Sequence, residues 1–310
     1  MKRRPLGATG LEVSEVGLGA WQLGNADWNG PDGDAGVSLV LEALDLGCNL
    51  FDTAPGYGGG RSEEILGRAL AGRRDEAVLV SKFGHTTTGG TDFGVERLRP
   101  AVEESLGRLA TDRLDVLLLH NPPGELLDGR HPLYAALERL RDEGLIRAYG
   151  ASVDWSADID RVLGTTGSSV LEVLVNAFHQ EPLPAVERAR DRGVGVLVKV
   201  PLDSGWLSGR YGRDSVFTGV RSRWTREVVE RRAVLVERFA ALLPPGVSLP
   251  HAALRFVLAQ PGVSSVIPGA RTSEQLRDNL AAADDPLPPD VVAAVRELWQ
   301  RELADEPLPW

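Results

Sequence analysis

Short runs of β-branched and leucine residues recur along the chain, each followed by a longer stretch in which apolar residues return at helical spacing. The runs fall at residues 16–20, 48–52, 77–81, 114–120, 146–151, 170–175, 194–200 and 263–267. Most lack period-two alternation, as expected of parallel strands buried on both faces. Between them, residues 35–46 set Val37, Val40, Leu41 and Leu44 on one helical face, and residues 61–70 do the same with Ile65, Leu66 and Ala69. Glu63 and Glu64 fall in the first turn of that second helix, where carboxylates favour the positive end of the helix dipole. Eight strands alternating with covering helices predict an α/β fold, a closed (β/α)8 TIM barrel. Residues 2–6 and 12–14 flank Gly7-Ala8-Thr9-Gly10 and predict an N-terminal β-hairpin able to cover the bottom of the barrel. Pro286, Pro288 and Pro289 set off an extra C-terminal helix over residues 290–303. No linker or low-complexity stretch divides the chain, so residues 1–310 are expected to form a single domain.

Composition narrows the function. The chain has 310 residues, of which 43% are hydrophobic and 25% charged, and a formal net charge of -10. This acidic balance disfavours broad contact with nucleic acid or anionic lipid, where a basic face is needed to approach phosphate. Cys48 is the single cysteine, so no intramolecular disulfide can form, and no Cys/His cluster at zinc spacing accompanies it. No run of about 18 apolar residues suits a membrane, and the charged start has no apolar segment behind it. The expectation is a cytoplasmic enzyme without a metal, acting on a small molecule; its oligomeric state is not legible.

Candidate chemistry gathers where predicted strands end. Asp52 and Tyr57 follow the second run, Lys82 the third, and His120 ends the fourth. Singly these are a turn or cap carboxylate, a loop tyrosine and a structural histidine. Together, on successive strand ends, they meet at one barrel mouth. A free tyrosine, with a pKa of about 10, is a reluctant acid near neutrality, but a neighbouring ammonium favours its anion. Lys82 would tune Tyr57, and Asp52 would keep Lys82 charged. His120 would hydrogen-bond a carbonyl oxygen and orient it for the tyrosine proton and an incoming hydride. That combination reduces carbonyls.

The motifs around these residues are specific. Phe51-Asp52-Thr53-Ala54 with Tyr57-Gly58 and Arg61-Ser62-Glu63-Glu64-Ile65-Leu66-Gly67, the lysine strand Val80-Ser81-Lys82-Phe83-Gly84, and residues 115–120 ending in His120 resemble the signatures of the aldo-keto reductase superfamily. Val266-Ile267-Pro268-Gly269-Ala270-Arg271, with Gln275 and Asn279, is similar to that family's segment for the adenosine end of NADP(H). The likeness runs from Gly17 to about Ala282. It implies a tetrad of Asp52, Tyr57, Lys82 and His120, and an extended nicotinamide dinucleotide bound without a Rossmann domain. Pro201, Leu202, Gly205, Leu207 and Gly209 resemble the loop over the pyrophosphate, where glycine permits close backbone approach. By the same likeness Gly269 belongs to the adenosine-end segment, Arg271 would pair with the 2'-phosphate and Asn279 hold the adenine, favouring NADPH with NADH possible.

Several positions depart from the family pattern. Ser152 is followed by valine where the family often has Ser-Asn for the nicotinamide carboxamide; Asn176 is the nearest amide where a glutamine is usual. Lys199 stands where many members carry a tyrosine that stacks on the ring. Gln275 replaces a second phosphate-binding arginine, which weakens the preference for NADPH. Trp21, Trp28 and Phe83 are expected to line the substrate pocket, with Trp155, Trp206 and Trp224 as further walls, while Asn121 and His85 receive no role. The leading expectation is an NADPH-dependent aldehyde or ketone reductase, acting on a sugar, a small ketone or a secondary-metabolite carbonyl. The alternatives are a cofactor-binding redox sensor and a Schiff-base lyase, for which Asp52 beside Lys82 leaves only Lys199 as nucleophile.

Overall fold

The computed structural model describes residues 1–26 and 29–309, with residues 220 and 221 in backbone only. Trp28 therefore lies outside the described residues. The chain opens with an antiparallel hairpin, β1 (Arg3–Pro5) and β2 (Glu12–Ser14). Eight parallel strands follow, paired in chain order: β3 (Leu18–Gly19), β4 (Leu50–Asp52), β5 (Val78–Phe83), β6 (Leu114–His120), β7 (Ile146–Val153), β8 (Val170–Leu174), β9 (Gly195–Lys199) and β10 (Val263–Val266). Bridges Val16↔Val266 and Gly19↔Gly269 join the first of these to the last. The barrel is closed.

Around it stand α1 (Gly33–Asp45), α2 (Arg61–Ala69), α3 (Val95–Arg108), α4 (Pro132–Asp142), α5 (Ser156–Thr165), α6 (Leu183–Asp191), α7 (Arg226–Ala240), α8 (Leu249–Leu258) and α9 (Ser273–Ala281), with α10 (Pro289–Glu302) as the extra C-terminal helix. Polar caps start several of them. Asp32 accepts from the Gly33 amide, Thr225 from Val228, Ser248 from His251 and Thr272 from Gln275, each satisfying an amide that the first turn leaves unpaired. Strand bounds shift by one or two residues in most cases, and two of these shifts bear on the site. The first shrinks to two residues, and at its end a Cβ on Gly19 would lie 2.6 Å from the Ile267 carbonyl oxygen, so the chain there runs close against the segment that follows β10. The third runs on to Phe83, which puts Lys82 inside β5 rather than after it.

The interior is layered. Leu6, Leu11 and Val13 of the hairpin region pack with Leu50, Val78, Val80, Val116, Leu118, Ala148, Val170, Leu197 and Ile267 in one buried cluster, the filled lower half of the barrel. Gly7 lets the hairpin turn close onto this end. Its φ is +56°, and a Cβ there would sit 2.3 Å from the Gly195 amide. Strand side chains alternate between faces, so the position two beyond each of these inward residues also faces inward, nearer the C-terminal mouth. Those next positions are Asp52, Lys82, His120, Ser152 two beyond Gly150, Glu172 and Lys199. The apolar plug thus seats a polar ring directly above it.

Leu6 is fully buried. Leu6→Ala is expected to lower stability by about 2–5 kcal/mol through the cavity it leaves, read from urea unfolding, while cofactor affinity at the opposite end stays unchanged.

Candidate active site

Lys82 sits at the centre of the mouth and is 2% exposed. Its ammonium donates to Asp52 Oδ1 at 2.6 Å and Oδ2 at 2.7 Å, and to the Thr53 carbonyl at 3.0 Å. A second carboxylate faces it: Glu172 Oε2 lies 3.2 Å from Nζ. Burial works against the Lys82 charge, but Asp52, Glu172 and Tyr57 outweigh it and hold the pKa above the ordinary lysine value. Lys82 is a fixed cation, not a nucleophile.

Tyr57 is half-buried in the loop between β4 and α2, with Lys82 Nζ 5.1 Å from its ring centroid. Trp21 stacks on it at 5.9 Å with 19° between the planes, and His120 meets it edge-on at 5.9 Å. Burial pushes the Tyr57 hydroxyl above its usual pKa although Lys82 pulls the other way. The lysine tempers this rise rather than making tyrosine a strong acid. His120 is held down to about 2 by burial, with Lys82 and the stacked His85 adding repulsion. The two imidazoles lie 4.2 Å apart at 20°, and burial lowers His85 as well. Neutral His120 has a buried Nδ1 that makes no hydrogen bond among the described residues.

Beyond the tetrad, Ser152 donates to Glu172 Oε1 at 2.9 Å. Lys199 donates to Ser152 Oγ at 2.8 Å and to Asn121 Oδ1 at 2.7 Å, and pairs with Asp154 at 2.9 Å. These contacts hold the Lys199 ammonium group among Ser152, Asn121 and Asp154. Asn176 is fully buried and bracketed by backbone: it donates to the Val200 carbonyl and accepts from the Phe178 amide.

The loop after β9 is rigid by construction. Val200, Asp203 and Ser204 have φ of +54°, +49° and +53°, an unusual backbone for side chains of this kind. It is held by Asp203, which pairs through both oxygens with Arg232 of α7 at 2.5 and 2.6 Å, both side chains fully buried. Arg232 also donates to the Pro309 carbonyl, tying in the C-terminal tail. Pro201 and Leu207 are buried, Leu202 half-buried, and Gly205 and Gly209 take φ of +95° and +75°. At the start of α9, Gln275 Oε1 accepts from the Arg271 amide and Asn279 donates to the Gly269 carbonyl, so both shape the 269–271 turn. Gln22 lies close against Gly269.

Three expected pocket walls stand elsewhere. Phe83 is on the opposite face of β5 from Lys82, packed edge-on against Phe93 in the layer between barrel and helices. Trp206 and Trp224 are buried with Tyr211 and Phe217 in an aromatic cluster inside the β9 loop. Trp21 and Trp155 are each 42% exposed. Glu172 was missed by the sequence reading although a signal was present: it is the only charge in an otherwise apolar run, Val170-Leu171-Glu172-Val173-Leu174-Val175.

The model of the aldo/keto reductase family matches residues 15–300. The chain belongs to the aldo/keto reductase family. It is 32% identical over 328 aligned residues to the NADH-specific methylglyoxal reductase of Escherichia coli (strain K12), covering 96% of this chain and 98% of that one. Among solved structures, the glycerol dehydrogenase of Gluconobacter oxydans superposes with a TM-score of 0.83 at 29% identity, covering 97% and 96%. An aldo-keto reductase of Bacillus halodurans in its holo form gives 0.82 at 28%, covering 96% of each chain. This aldo-keto reductase is thus an oxidoreductase of a family that acts on carbonyls with nicotinamide cofactors. No helix among the described residues is long and apolar enough to cross a membrane.

The electrostatics give a stability prediction. His85, His120 and His179 all have lowered pKa values, chiefly through burial. Below about pH 6.5 the unfolded chain binds protons at these sites that the native state refuses, so stability falls as pH drops. Asp52, Asp158 and Asp203, each raised chiefly by burial, act in the opposite sense, but their unfolded values lie at about 4, whereas the histidines titrate within the window itself. The urea midpoint is expected to be lower at pH 5.0 than at pH 6.5, and His120→Gln to shrink that drop.

Proposed function

We propose that this chain reduces an aldehyde or ketone to the alcohol, with Tyr57 as the general acid and a nicotinamide cofactor as the reductant. The observation that carries the reading is the convergence of Tyr57, Lys82 and His120 at one mouth, above an apolar plug that keeps the site dry. Neutral His120 donates an N–H to the carbonyl oxygen without competing as an acid. Tyr57 gives its proton to that oxygen as negative charge develops there, and Lys82 favours the tyrosinate left behind. Asp52 holds the lysine in place. Trp21 offers an exposed aromatic face beside Tyr57, suited to the apolar side of a small carbonyl compound or a sugar.

The donor set fits a dinucleotide: hydroxyl, amide and ammonium groups on Ser152, Asn121 and Lys199 at one end, the left-handed turns at 203–205 and 209 along the way, and Arg271 at the α9 end. When bound, the nicotinamide supplies hydride to the carbonyl carbon. Arg271 favours NADPH because a guanidinium fork matches a phosphate, with NADH accepted less well. Asn279 and Gly269 border the adenine, and the loop of Pro201, Leu202, Gly205, Leu207 and Gly209 covers the pyrophosphate. We further infer one domain over residues 1–310, one small-molecule site, no resident metal and no nucleic-acid partner. A cytoplasmic setting is supported by the single buried thiol, Cys48.

With NADPH and an activated aromatic aldehyde, Tyr57→Phe is expected to lower kcat by about 10²–10⁴-fold while NADPH still binds. Tight NADPH binding by the unaltered protein with no turnover across a carbonyl panel would favour a redox sensor instead. Arg271→Ala is expected to raise the KM for NADPH by about 10–100-fold, the loss of a charge-assisted phosphate contact, and to leave the KM for NADH unchanged. Equal effects on both cofactors would remove Arg271 from the phosphate site.

A further inference from the structure

Glu172 has no part in the tetrad, yet it is the second anion on the catalytic lysine. It lies on β8, in register with Ser152 of β7, and is 2% exposed. Oε1 accepts from Ser152, and Oε2 faces Lys82 at 3.2 Å with no hydrogen bond. Asp52 approaches the same ammonium from β4 at 2.6 Å. The groups that face this pair are Lys82 from β5, His120 from β6, Lys199 from β9 across Ser152, and Tyr57 from the loop above. His120 is neutral, and Lys199 has its own anion in Asp154. Two buried carboxylates therefore share one ammonium, and like charges that close do not both ionise in a site shut off from water.

We propose that Glu172 is a positioning residue that completes a two-carboxylate cradle around Lys82 and, with Asp52, stores one buried proton that refills Tyr57 through Lys82. This rests on Tyr57 as the proton donor. The steps balance: Tyr57 gives its proton to the substrate oxygen, Lys82 Nζ gives one to the tyrosinate, and the carboxyl of the pair gives one to Nζ. The pair then ends as two carboxylates and regains its proton from water when product leaves. No electron moves in the relay. The directions of the shifts agree, since burial and Glu172 raise Asp52 well above the carboxylate range, while Lys82 and Lys199 overcome burial to hold Glu172 low. One proton is therefore shared between the two carboxyls, which face the same ammonium, and Glu172 keeps it in the pair.

Infrared difference spectroscopy of the cofactor-free protein tests the storage directly. The unaltered protein at pH 7 is expected to show the C=O band of a buried carboxylic acid, absent from Glu172→Gln because Asp52 then ionises beside Lys82. No such band in the unaltered protein, or its persistence in Glu172→Gln, overturns the proposal. This readout needs no turnover, so it stands apart from any failure of the reductase assignment. In turnover, Glu172→Gln is expected to move the alkaline limb of kcat about one pH unit lower, because the charge beside Lys82 is unchanged while the stored proton that refills Tyr57 is gone, and Glu172→Asp to restore it in part. A limb that stays in place while kcat merely falls would make Glu172 structural and end the relay.

Discussion

One buried ammonium organises this molecule. Lys82 ties the ends of β4, β5 and β8 together, because Asp52, Thr53 and Glu172 all turn to it. Breaking such a set by removing one partner typically costs about 3–5 kcal/mol, since a stranded charge remains. The pairing is worth having only because it stands at the mouth. Tyr57 and His120 lie over and beside that same charge, so the group that holds the strand ends together also sets the acidity of the site.

The strength of that charge comes from what lies beneath it. The hairpin at the bottom and the apolar layer from Leu50 round to Ile267 exclude water from the lower barrel. Charges above a dry plug act on one another far more strongly than in solvent. This is why His120 stays neutral, why burial outweighs Lys82 in raising Tyr57, and why two carboxylates near one lysine become a proton store.

Around this centre the mouth is built from loops held by contacts of their own. The β9 loop is braced by the Asp203–Arg232 pair and an aromatic cluster, and the C-terminal tail joins it through the Pro309 carbonyl. Lys199 is drawn into a network with Asn121, Ser152 and Asp154. Trp21 and Trp155 stand exposed. The polar ring around Lys82 is thus tightly bonded, whereas the side chains of the loops above it are more exposed.

The strand and helix succession, the hairpin, and the meeting of Asp52, Tyr57, Lys82 and His120 at one mouth were readable from the chain itself, because each depends on local pattern or on a short motif at a strand end. Side-chain direction was not. Lys82 and Phe83 are neighbours in sequence, yet one faces the mouth and the other packs against Phe93, since β5 runs two residues further than its hydrophobic run suggests. Trp206 and Trp224 look like pocket walls until the loop folds them on each other. Glu172 lies 90 residues from Lys82 in the chain, and only closure of the barrel in register brings the two together. Local sequence decides which elements form, because hydrogen bonding and hydrophobic period are local; which side chains meet is decided by strand register and closure, which no single segment contains.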